Sequence, residues 1–355
     1  MDNVLVTGGA GFIGSNFVRH LLRSEPGARV VTLDALTYAG SLENLKDLPD
    51  PERHTFVHGD ICDLPLVTTI LRERDIDTLV HFAAETHVDR SILGPAPFIQ
   101  TNVVGTFTLL EAARTAWAAA GYGTRRFHHV STDEVFGSLG PSDPAFREDT
   151  PYAPRSPYAA SKAASDHLVR AYFHTYGLPV GITNCSNNYG PYQFPEKLVP
   201  LIILKALSGK PLPVYGDGLQ VRDWLYVEDH CEAILQVIRG GRPGETYNVG
   251  GNNQPTNLDV IQQVCVILDE KNPGTRHAEL IRMVPDRPGH DRRYDMDFTR
   301  IRTELGWQPR HDLASGLRTT VEWYLANPEW TAAISAQPAY GEWLERNYDQ
   351  REGNI

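Results

Sequence analysis

Short apolar runs recur along the first half of the chain, separated by longer stretches with the spacing of amphipathic helices. The runs lie at residues 4–6, 30–33, 56–57, 79–82, 128–130 and 180–183. The helical stretches include residues 13–22, 101–120 and 158–176. Short apolar strands that alternate with helices are typical of parallel sheets covered on both faces. The pattern therefore predicts an α/β fold with a Rossmann-type doubly wound parallel sheet and right-handed crossovers.

From about residue 187 the pattern changes to short pieces separated by proline and glycine. Residues 189–192 and 215–218 have the composition of loops and turns. We expect residues 1–186 to form the domain with the sheet and the catalytic residues. Residues 187–355 are expected to form mainly a smaller C-terminal lobe that binds substrate. The sequence leaves open whether the chain crosses back between the two lobes.

The composition restricts the classes of partner. The 355-residue chain has a formal charge of −11, which argues against a general nucleic-acid or membrane surface because such binding needs clustered positive charge. No apolar run approaches the roughly 20 residues that span a bilayer, and the N-terminus does not resemble a signal peptide. The four cysteines are scattered without metal-binding spacing and are expected to be free thiols of a reducing compartment. We therefore expect a cytoplasmic protein without a metal.

A glycine-rich segment at residues 8–14 follows the first predicted strand and opens the first predicted helix. It satisfies the dinucleotide-binding pattern G-x-G-x-x-G, in which backbone N–H groups approach a pyrophosphate at the positive end of the helix. Asp34 ends the second strand 20 residues after Gly14. A carboxylate there can hold the ribose 2′-hydroxyl and repels a 2′-phosphate, which favours NAD over NADP. Asp60 with Ile61 and Ala83 with Ala84 follow later strands at the same edge, although the alanines also fit simple packing.

Tyr158 and Lys162 stand four residues apart in a predicted helix, so both side chains lie on one face. A nearby ammonium is expected to lower the pKa of the Tyr158 phenol and let it accept a hydroxyl proton. Thr132 closes the fifth strand and is followed by Asp133 and Glu134. Consecutive strand residues point to opposite faces, so both acids reach one substrate only if the chain turns at Thr132.

Together these segments resemble the extended short-chain dehydrogenase/reductases, and within them the dTDP-glucose 4,6-dehydratases, over nearly the whole chain. The resemblance lies in residues 7–14, 81–91, 131–137, 158–162, 187–193, 222–224 and 286–290. The two acids after Thr132 are the discriminating element, because the related 4-epimerases usually have small residues there. Two positions depart from the family pattern, since Thr86 replaces a usual Ser and Phe136 a usual Tyr.

The resemblance implies an NAD-dependent hydro-lyase that works in three stages. Tyr158 takes the O4 proton of the sugar while the C4 hydride passes to NAD. Glu134 then removes the C5 proton as Asp133 protonates the leaving C6 hydroxyl, and the hydride returns at C6. The net result is loss of water from dTDP-glucose. Thr132 would bind the reacting sugar, and Lys162 would steady the nicotinamide ribose.

The expected site residues extend over both lobes. We expect NAD to contact Gly8, Gly11, Phe12, Ile13, Gly14, Asp34, Leu36, Thr37, Asp60, Ile61, Ala83, Ala84, Thr101, Tyr158, Lys162 and Asn188. The resemblance implies that the nucleotide sugar contacts Thr86, Thr132, Asn187, Lys197, Leu198, Val214, Tyr215, Arg222, Asn257, Arg287 and His290. The two arginines suit a diphosphate, which they can bind with two hydrogen bonds each.

The resemblance also implies a homodimer that forms through a four-helix interface. Other functions stay open from the sequence. They are a dehydratase for UDP-sugars, a 4-epimerase, and an NAD-binding sensor without catalysis. The choice between thymine and uracil, the deoxysugar pathway that uses the product, and copurification of NAD are also open.

Overall fold

The computed structural model describes residues 1–118, 121–286, 289–337 and 340–341. A parallel sheet, with seven strands in these residues, forms its centre. The strand order is β10-β6-β5-β4-β1-β2-β3, and every pairing is parallel. The strands of this sheet are β1 (Asn3–Thr7), β2 (Arg29–Asp34), β3 (His54–His58), β4 (Thr78–His81), β5 (Arg126–Thr132), β6 (Val180–Cys185) and β10 (Thr246–Val249). The predicted Rossmann-type α/β fold is confirmed.

Helices flank the sheet and build the smaller lobe. Their bounds are α1 (Phe12–Ser24), α2 (Leu64–Glu73), α3 (Val88–Leu93), α4 (Ala96–Phe98), α5 (Thr106–Ala118), α6 (Pro157–Tyr176), α7 (Leu198–Leu207), α8 (Val227–Gly240), α9 (Asn257–Lys271), α10 (Thr299–Leu305), α11 (Leu313–Ala326) and α12 (Pro328–Ser335). A π-helical segment, Ile99–Gly105, leads directly into α5. The helix predicted over residues 101–120 therefore begins within this π-helical segment and continues through α5 to residue 118. Residues 119 and 120 lie outside the described part.

The two faces of β1 show why the sheet needs helices on both sides. Val4 and Val6 pack with residues of α1 and α8, whereas Leu5 packs with residues of α2, α5 and α6. Alternate strand residues point to opposite faces, so an apolar run without polar interruptions buries both. These layers hold the strand ends rigidly in place.

The chain order reverses between β1 and β4, since β2 and β3 extend the sheet on one side and β5 and β6 on the other. Ligands of doubly wound sheets bind beyond the carboxyl ends of the strands at such a reversal. The glycine-rich loop after β1, the segment after β4 and the turn after β5 meet at this edge.

The smaller lobe has its own apolar core, formed largely by α7, α9, α11 and α12. The strands β8 (Leu212–Tyr215) and β11 (Ile281–Val284) pair in parallel, as do β7 (Asn187–Tyr189) and β9 (Trp224–Tyr226). Between these pieces the chain returns to the large sheet, because α8 packs on α1 and β10 pairs with β6. The part of the chain after residue 186 thus completes the first lobe as well as building the second.

Within the described ranges, no helix has both the length and the apolar character needed to cross a bilayer.

Candidate active site

A cavity of about 370 Å³ opens at the carboxyl edge of the sheet and extends towards the smaller lobe. Its walls contain the glycine-rich loop, the ends of β2, β4, β5 and β6, the first two turns of α6, and residues 193–198. The reversal point of the sheet and the predicted catalytic residues therefore share one cavity.

The glycine-rich loop leaves no space for side chains where it meets its neighbours. A Cβ atom on Gly14 would lie 2.2 Å from the Gly8 carbonyl oxygen, and one on Gly8 would lie 2.6 Å from the Ala83 nitrogen. The N-cap of α1 is Gly11, which provides no side-chain hydrogen bond to the first turn. The unpaired N–H groups and the positive end of α1 can therefore bind an anionic group.

Asp34 stands at the end of β2 with its carboxylate fixed by the backbone. Its two oxygens accept hydrogen bonds from the N–H groups of Ala10, at 2.9 Å, and Leu36, at 2.8 Å. Burial raises the pKa of this carboxyl, and the two backbone donors oppose that shift. These contacts tie the second strand to the glycine-rich loop, as a ribose-binding carboxylate requires. The loop and this carboxylate fit the phosphate and ribose groups of NAD.

The structure brings nearly all the residues predicted for the cofactor into the cavity. Those that line it are Gly8, Gly11, Phe12, Ile13, Gly14, Asp34, Thr37, Asp60, Ile61, Ala83, Ala84, Thr101, Tyr158, Lys162 and Asn188. Leu36 is not among the lining residues, because its backbone turns at a φ of 49° and its N–H faces Asp34.

A sharp turn after β5 resolves the geometric difficulty of two consecutive acids. The strand ends at Thr132, and Asp133–Phe136 form one turn of 3-10 helix. The Thr132 hydroxyl accepts a hydrogen bond from the Glu134 N–H at 3.2 Å and thereby caps this turn. Both acids and Thr132 consequently line the same cavity.

Asp133 is almost completely buried, with 2% of its surface exposed. Burial, followed by the negative charge of Glu134, raises its pKa well above the usual range of a carboxyl group. One oxygen contacts the Thr132 hydroxyl at 3.2 Å, while Oδ2 has no hydrogen-bond partner among the described residues. Burial of Asp133 thus favours the neutral form of its carboxyl group.

Tyr158 and Lys162 lie near the start of α6, and both are buried. Lys162 Nζ donates to the Val130 carbonyl at 2.9 Å and lies 3.4 Å from His129 Nε2. Burial lowers the pKa of Lys162 to about 8.

The expected lowering of the Tyr158 pKa is wrong. Burial, followed by the charge of Glu134, raises this pKa well above its usual value, and a hydrogen bond with Thr132 opposes the shift only in part. The sequence shows the spacing of Tyr158 and Lys162 but not how deeply the phenol is buried.

The residues predicted for the substrate divide into two groups. Thr86, Thr132, Asn187, Lys197 and Leu198 line the cavity. Val214, Tyr215, Arg222, Asn257 and His290 belong to the smaller lobe and are not among its lining residues. Arg287 lies outside the described residues.

Contacts within the smaller lobe explain two of these positions. The Arg222 guanidinium stacks 4.2 Å from the centre of the Tyr294 ring and donates to the Asp291 carbonyl at 2.8 Å. The Val214 side chain is only 1% exposed and packs in the apolar core of that lobe.

Several lining residues were not predicted from the sequence. They are Tyr38, Glu85, Cys185, Ser186, Gln193, Phe194 and Glu196 among others. Arg90 connects two of them, since its guanidinium lies 3.9 Å from the Tyr38 ring and 3.4 Å from the Glu196 carboxylate. The only sequence signal for these positions is their proximity to predicted ones, because Tyr38 follows Thr37 and Glu196 precedes Lys197.

The chain is similar to characterised proteins over most of its length. A sequence model of the family described as GDP-mannose 4,6 dehydratase matches residues 5–320. The dTDP-glucose 4,6-dehydratase of Salmonella typhimurium is 55% identical, with 98% of this chain and 99% of that protein covered. The protein of the same name from Xanthomonas campestris pv. campestris strain B100 is 59% identical, with 94% and 96% covered.

Solved structures of both a dehydratase and an epimerase are similar to this chain in fold. The dTDP-glucose 4,6-dehydratase of Streptomyces venezuelae, solved with NAD and TYD bound, has a TM-score of 0.86 at 48% identity and covers 94% of this chain and 99% of its own. A UDP-glucose 4-epimerase from Thermotoga maritima has a TM-score of 0.81 at 30% identity, with 92% and 99% covered.

The Rossmann-type sheet, the glycine-rich loop and the Tyr158/Lys162 pair define an extended short-chain dehydrogenase/reductase. Within that class, the chain belongs to the dTDP-glucose 4,6-dehydratase family, as the sequence motifs predicted.

Proposed function

We propose that this protein is an NAD-dependent hydro-lyase that converts dTDP-glucose to dTDP-4-keto-6-deoxyglucose and water. The observation that carries this proposal is the turn after β5, which places Asp133 and Glu134 in the same cavity as Tyr158 and Lys162. Oxidation at C4 needs only a base such as Tyr158, whereas elimination of water also needs an acid and a second base. The identity of 53–59% to named dTDP-glucose 4,6-dehydratases supports the choice of substrate.

The residues that would hold NAD are the glycine-rich loop, Asp34 and Lys162. When bound, NAD supplies a hydride acceptor for C4 and a donor for C6, and it adds a positive charge to the cavity. A positive charge favours the ionised form of a phenol. It therefore opposes the effect of burial, which raises the pKa of Tyr158. Tyr158 then accepts the O4 proton of the sugar, while Lys162 binds the ribose.

Asp133 and Glu134 carry out the elimination. Oxidation at C4 makes the neighbouring C5 proton acidic, and the Glu134 carboxylate removes it. The electrons of that bond form the C5–C6 double bond as the C6–O bond breaks. Asp133, whose pKa is raised by burial, gives its proton to the departing oxygen, which leaves as water. Two adjacent carboxyls can act as acid and base at one pH only if their environments separate their pKa values.

The substrate sugar is assigned to Thr86, Thr132, Asn187 and Lys197, which line the cavity between the catalytic turn and the smaller lobe. Lys197 Nζ is held by a hydrogen bond to the Thr86 carbonyl at 3.2 Å, so these two residues form one wall. The nucleotide and its diphosphate are assigned to the predicted positions of the smaller lobe. These are Leu198, Tyr215, Arg222, Asn257, Arg287 and His290, whereas the side chain of the predicted Val214 packs in the core of that lobe.

A homodimer is part of the proposal. Ile99, Val104, Phe107 and Tyr176 are each at least 37% exposed on the π-helical segment and on helices α5 and α6. Exposed apolar residues grouped on adjacent helices are typical of an interface between subunits. The partner assigned to this surface is a second copy of the chain. The protein is also assigned to the cytoplasm, since its four cysteines are free thiols.

The experiment that tests this function is incubation of the purified protein with dTDP-glucose and, separately, UDP-glucose, followed by mass spectrometry of each nucleotide sugar. The proposal predicts loss of one water from the thymidine compound without any added reductant. Unchanged mass with a new C4 epimer would instead indicate an epimerase. Water loss from UDP-glucose alone would move the assignment to a UDP-sugar dehydratase, and no reaction with either would favour a sensor or another sugar.

A further inference from the structure

The buried carboxylate of Asp166 lies behind the catalytic residues and has no role in the steps above. Asp166 is on α6, four residues after Lys162, and is fully buried. Burial of an ionised carboxylate is costly unless hydrogen bonds and an opposite charge compensate for it. The groups around Asp166 therefore show how its buried charge is stabilised.

Four side chains donate to this carboxylate. Oδ2 lies 2.9 Å from Ser131 Oγ, 2.8 Å from the Tyr152 hydroxyl and 3.4 Å from Asn184 Nδ2. Oδ1 lies 3.1 Å from His129 Nε2. Ser131 and His129 are in β5, and Asn184 is in β6. Asp166 thus fastens α6, which carries Tyr158 and Lys162, to the strand that ends at Thr132.

His129 lies between the carboxylate and the catalytic lysine. Its Nε2 atom lies 3.1 Å from Asp166 and 3.4 Å from Lys162 Nζ. Burial lowers the pKa of this imidazole to about 4, so the ring is neutral and has one proton. The proton belongs on Nε2, because an unprotonated nitrogen would face the carboxylate there. Nδ1 is buried and has no hydrogen-bond partner among the described residues, which agrees with this tautomer.

Asp166 and Lys162 carry opposite charges, and both are buried next to His129. These charges and the hydrogen bonds of Asp166 connect the carboxylate to the reaction. We propose that Asp166 is a positioning residue: its negative charge keeps Lys162 in the ammonium form, and its hydrogen bonds hold the end of β5 against α6. The proposal rests on the proposed function, because Lys162 must be charged to bind the ribose and to favour the Tyr158 phenolate.

Other groups around Lys162 do not replace this charge. The titratable groups on the elements that surround it include His81, His128, His129, Asp133, Glu134, Tyr152, Tyr158, Asp166, His167, Arg170, Tyr172 and Cys185. Asp166, followed by Cys185, opposes the effect of burial on the pKa of Lys162. Burial raises the pKa of the Cys185 thiol, so it is neutral, whereas hydrogen bonds lower the pKa of Asp166 and keep it ionised.

The test is the pH dependence of dTDP-glucose dehydration by the holoenzyme. Asp166→Asn removes the charge with little change in shape. The alkaline limb of the rate profile should move to lower pH by about one unit, the lower end of the shift expected from loss of a nearby opposite charge. Asp166→Glu keeps the charge, so its limb should stay with the parent even if its rate falls.

Tyr152→Phe is the matched control for a purely structural role. It removes one of the hydrogen bonds to Asp166 but leaves the charge, so its alkaline limb should not move. An Asp166→Asn profile that superimposes on the parent would overturn the inference. So would an equal shift in all three variants, which would mean that packing alone is affected.

A measurement on the parent protein covers the case in which Asp166→Asn does not fold. Nitrogen NMR of histidine-labelled protein, assigned with His129→Gln, should show His129 neutral with its proton on Nε2 near neutral pH. A proton on Nδ1 would contradict the inference. The proposed function fails separately, since it requires the parent enzyme to dehydrate dTDP-glucose before any variant is compared.

Discussion

The Thr132 hydroxyl accepts a hydrogen bond from the backbone N–H of Glu134 across 3.2 Å. This one contact ends β5 and starts the turn on which the two acids lie. Without it, consecutive residues would point to opposite faces of the sheet. The elimination of water depends on the position that this turn gives to the two acids.

Glu134→Gln should separate oxidation from elimination. The variant keeps the side-chain volume but cannot remove the C5 proton, so the rate of water loss should fall by about 100- to 10,000-fold. Reduction of bound NAD on addition of substrate should remain visible in the absorbance of the nicotinamide. Dehydration at the parent rate would show that Glu134 is not the base.

Asp133→Asn is the matched variant for the acid. It also should eliminate water slowly, but Glu134 remains able to remove the C5 proton. In deuterated water the nucleotide sugar should therefore gain deuterium at C5 with Asp133→Asn and not with Glu134→Gln. The same exchange pattern in both variants would argue against separate roles.

Tyr158→Phe should block the first stage. The variant lacks the hydroxyl that accepts the O4 proton, so substrate-dependent NAD reduction should slow by roughly 100- to 10,000-fold. Binding of dTDP-glucose, measured by calorimetry, should change little because the ring still fills its buried position. Normal NAD reduction would exclude Tyr158 as the base.

Gly14→Ala should weaken NAD binding. The new Cβ atom would stand 2.2 Å from the Gly8 carbonyl, so the loop must shift away from its pyrophosphate-binding shape. A cost of about 1.4 kcal/mol already corresponds to tenfold weaker binding, measurable by titration calorimetry. Gly27→Ala is the control, because a Cβ there has no atom within 4 Å and should leave affinity unchanged.

Asp133→Asn should also raise the free energy of unfolding near neutral pH. The pKa of Asp133 is raised in the folded protein above its ordinary value of 3.8. The folded state therefore retains a proton that the unfolded state has released, and stability falls as the pH rises above that ordinary value. Asparagine has no such dependence.

Thermal unfolding at several pH values checks this prediction. The advantage of Asp133→Asn over the parent should grow from about pH 4 towards neutrality and reach about 1 kcal/mol, in the range of other stabilising substitutions. A variant that is less stable than the parent at neutral pH would contradict it.

Phe107→Arg should break the proposed homodimer. Phe107 is 46% exposed on α5, and a charge at the centre of an apolar interface would be buried without a partner. Sedimentation should show a dimer for the parent at micromolar concentration and a monomer for the variant. Leu207→Arg, at a similarly exposed site in α7, is the control and should stay dimeric.

Much of the fold could be predicted because local pattern and tertiary role agree. The apolar runs of β1, β2, β4, β5 and β6 are largely buried on both faces, so each one indicates its strand without knowledge of its neighbours. β10 is different. Its sequence at residues 246–249 contains only one aliphatic residue, Val249. Its pairing with β6 depends on where the preceding helix α8 ends.

The site shows the same division. The glycine-rich loop and Asp34 are predictable because a backbone conformation and a ribose contact each require one residue type. The direction of the Tyr158 pKa shift is not predictable from the sequence, since it depends on how many atoms cover the phenol in the folded protein. Glu196 and Tyr38 meet through Arg90, across a distance in sequence that no local pattern spans.

The position of β10 beside β6 has a consequence for synthesis of the protein. During translation, the strand edge next to the catalytic half remains open until residues 246–249 have left the ribosome. An open edge of this kind can pair with another chain. The nascent protein is therefore most prone to aggregation after its catalytic residues are made and before β10 appears, and shielding by chaperones would matter most in that interval.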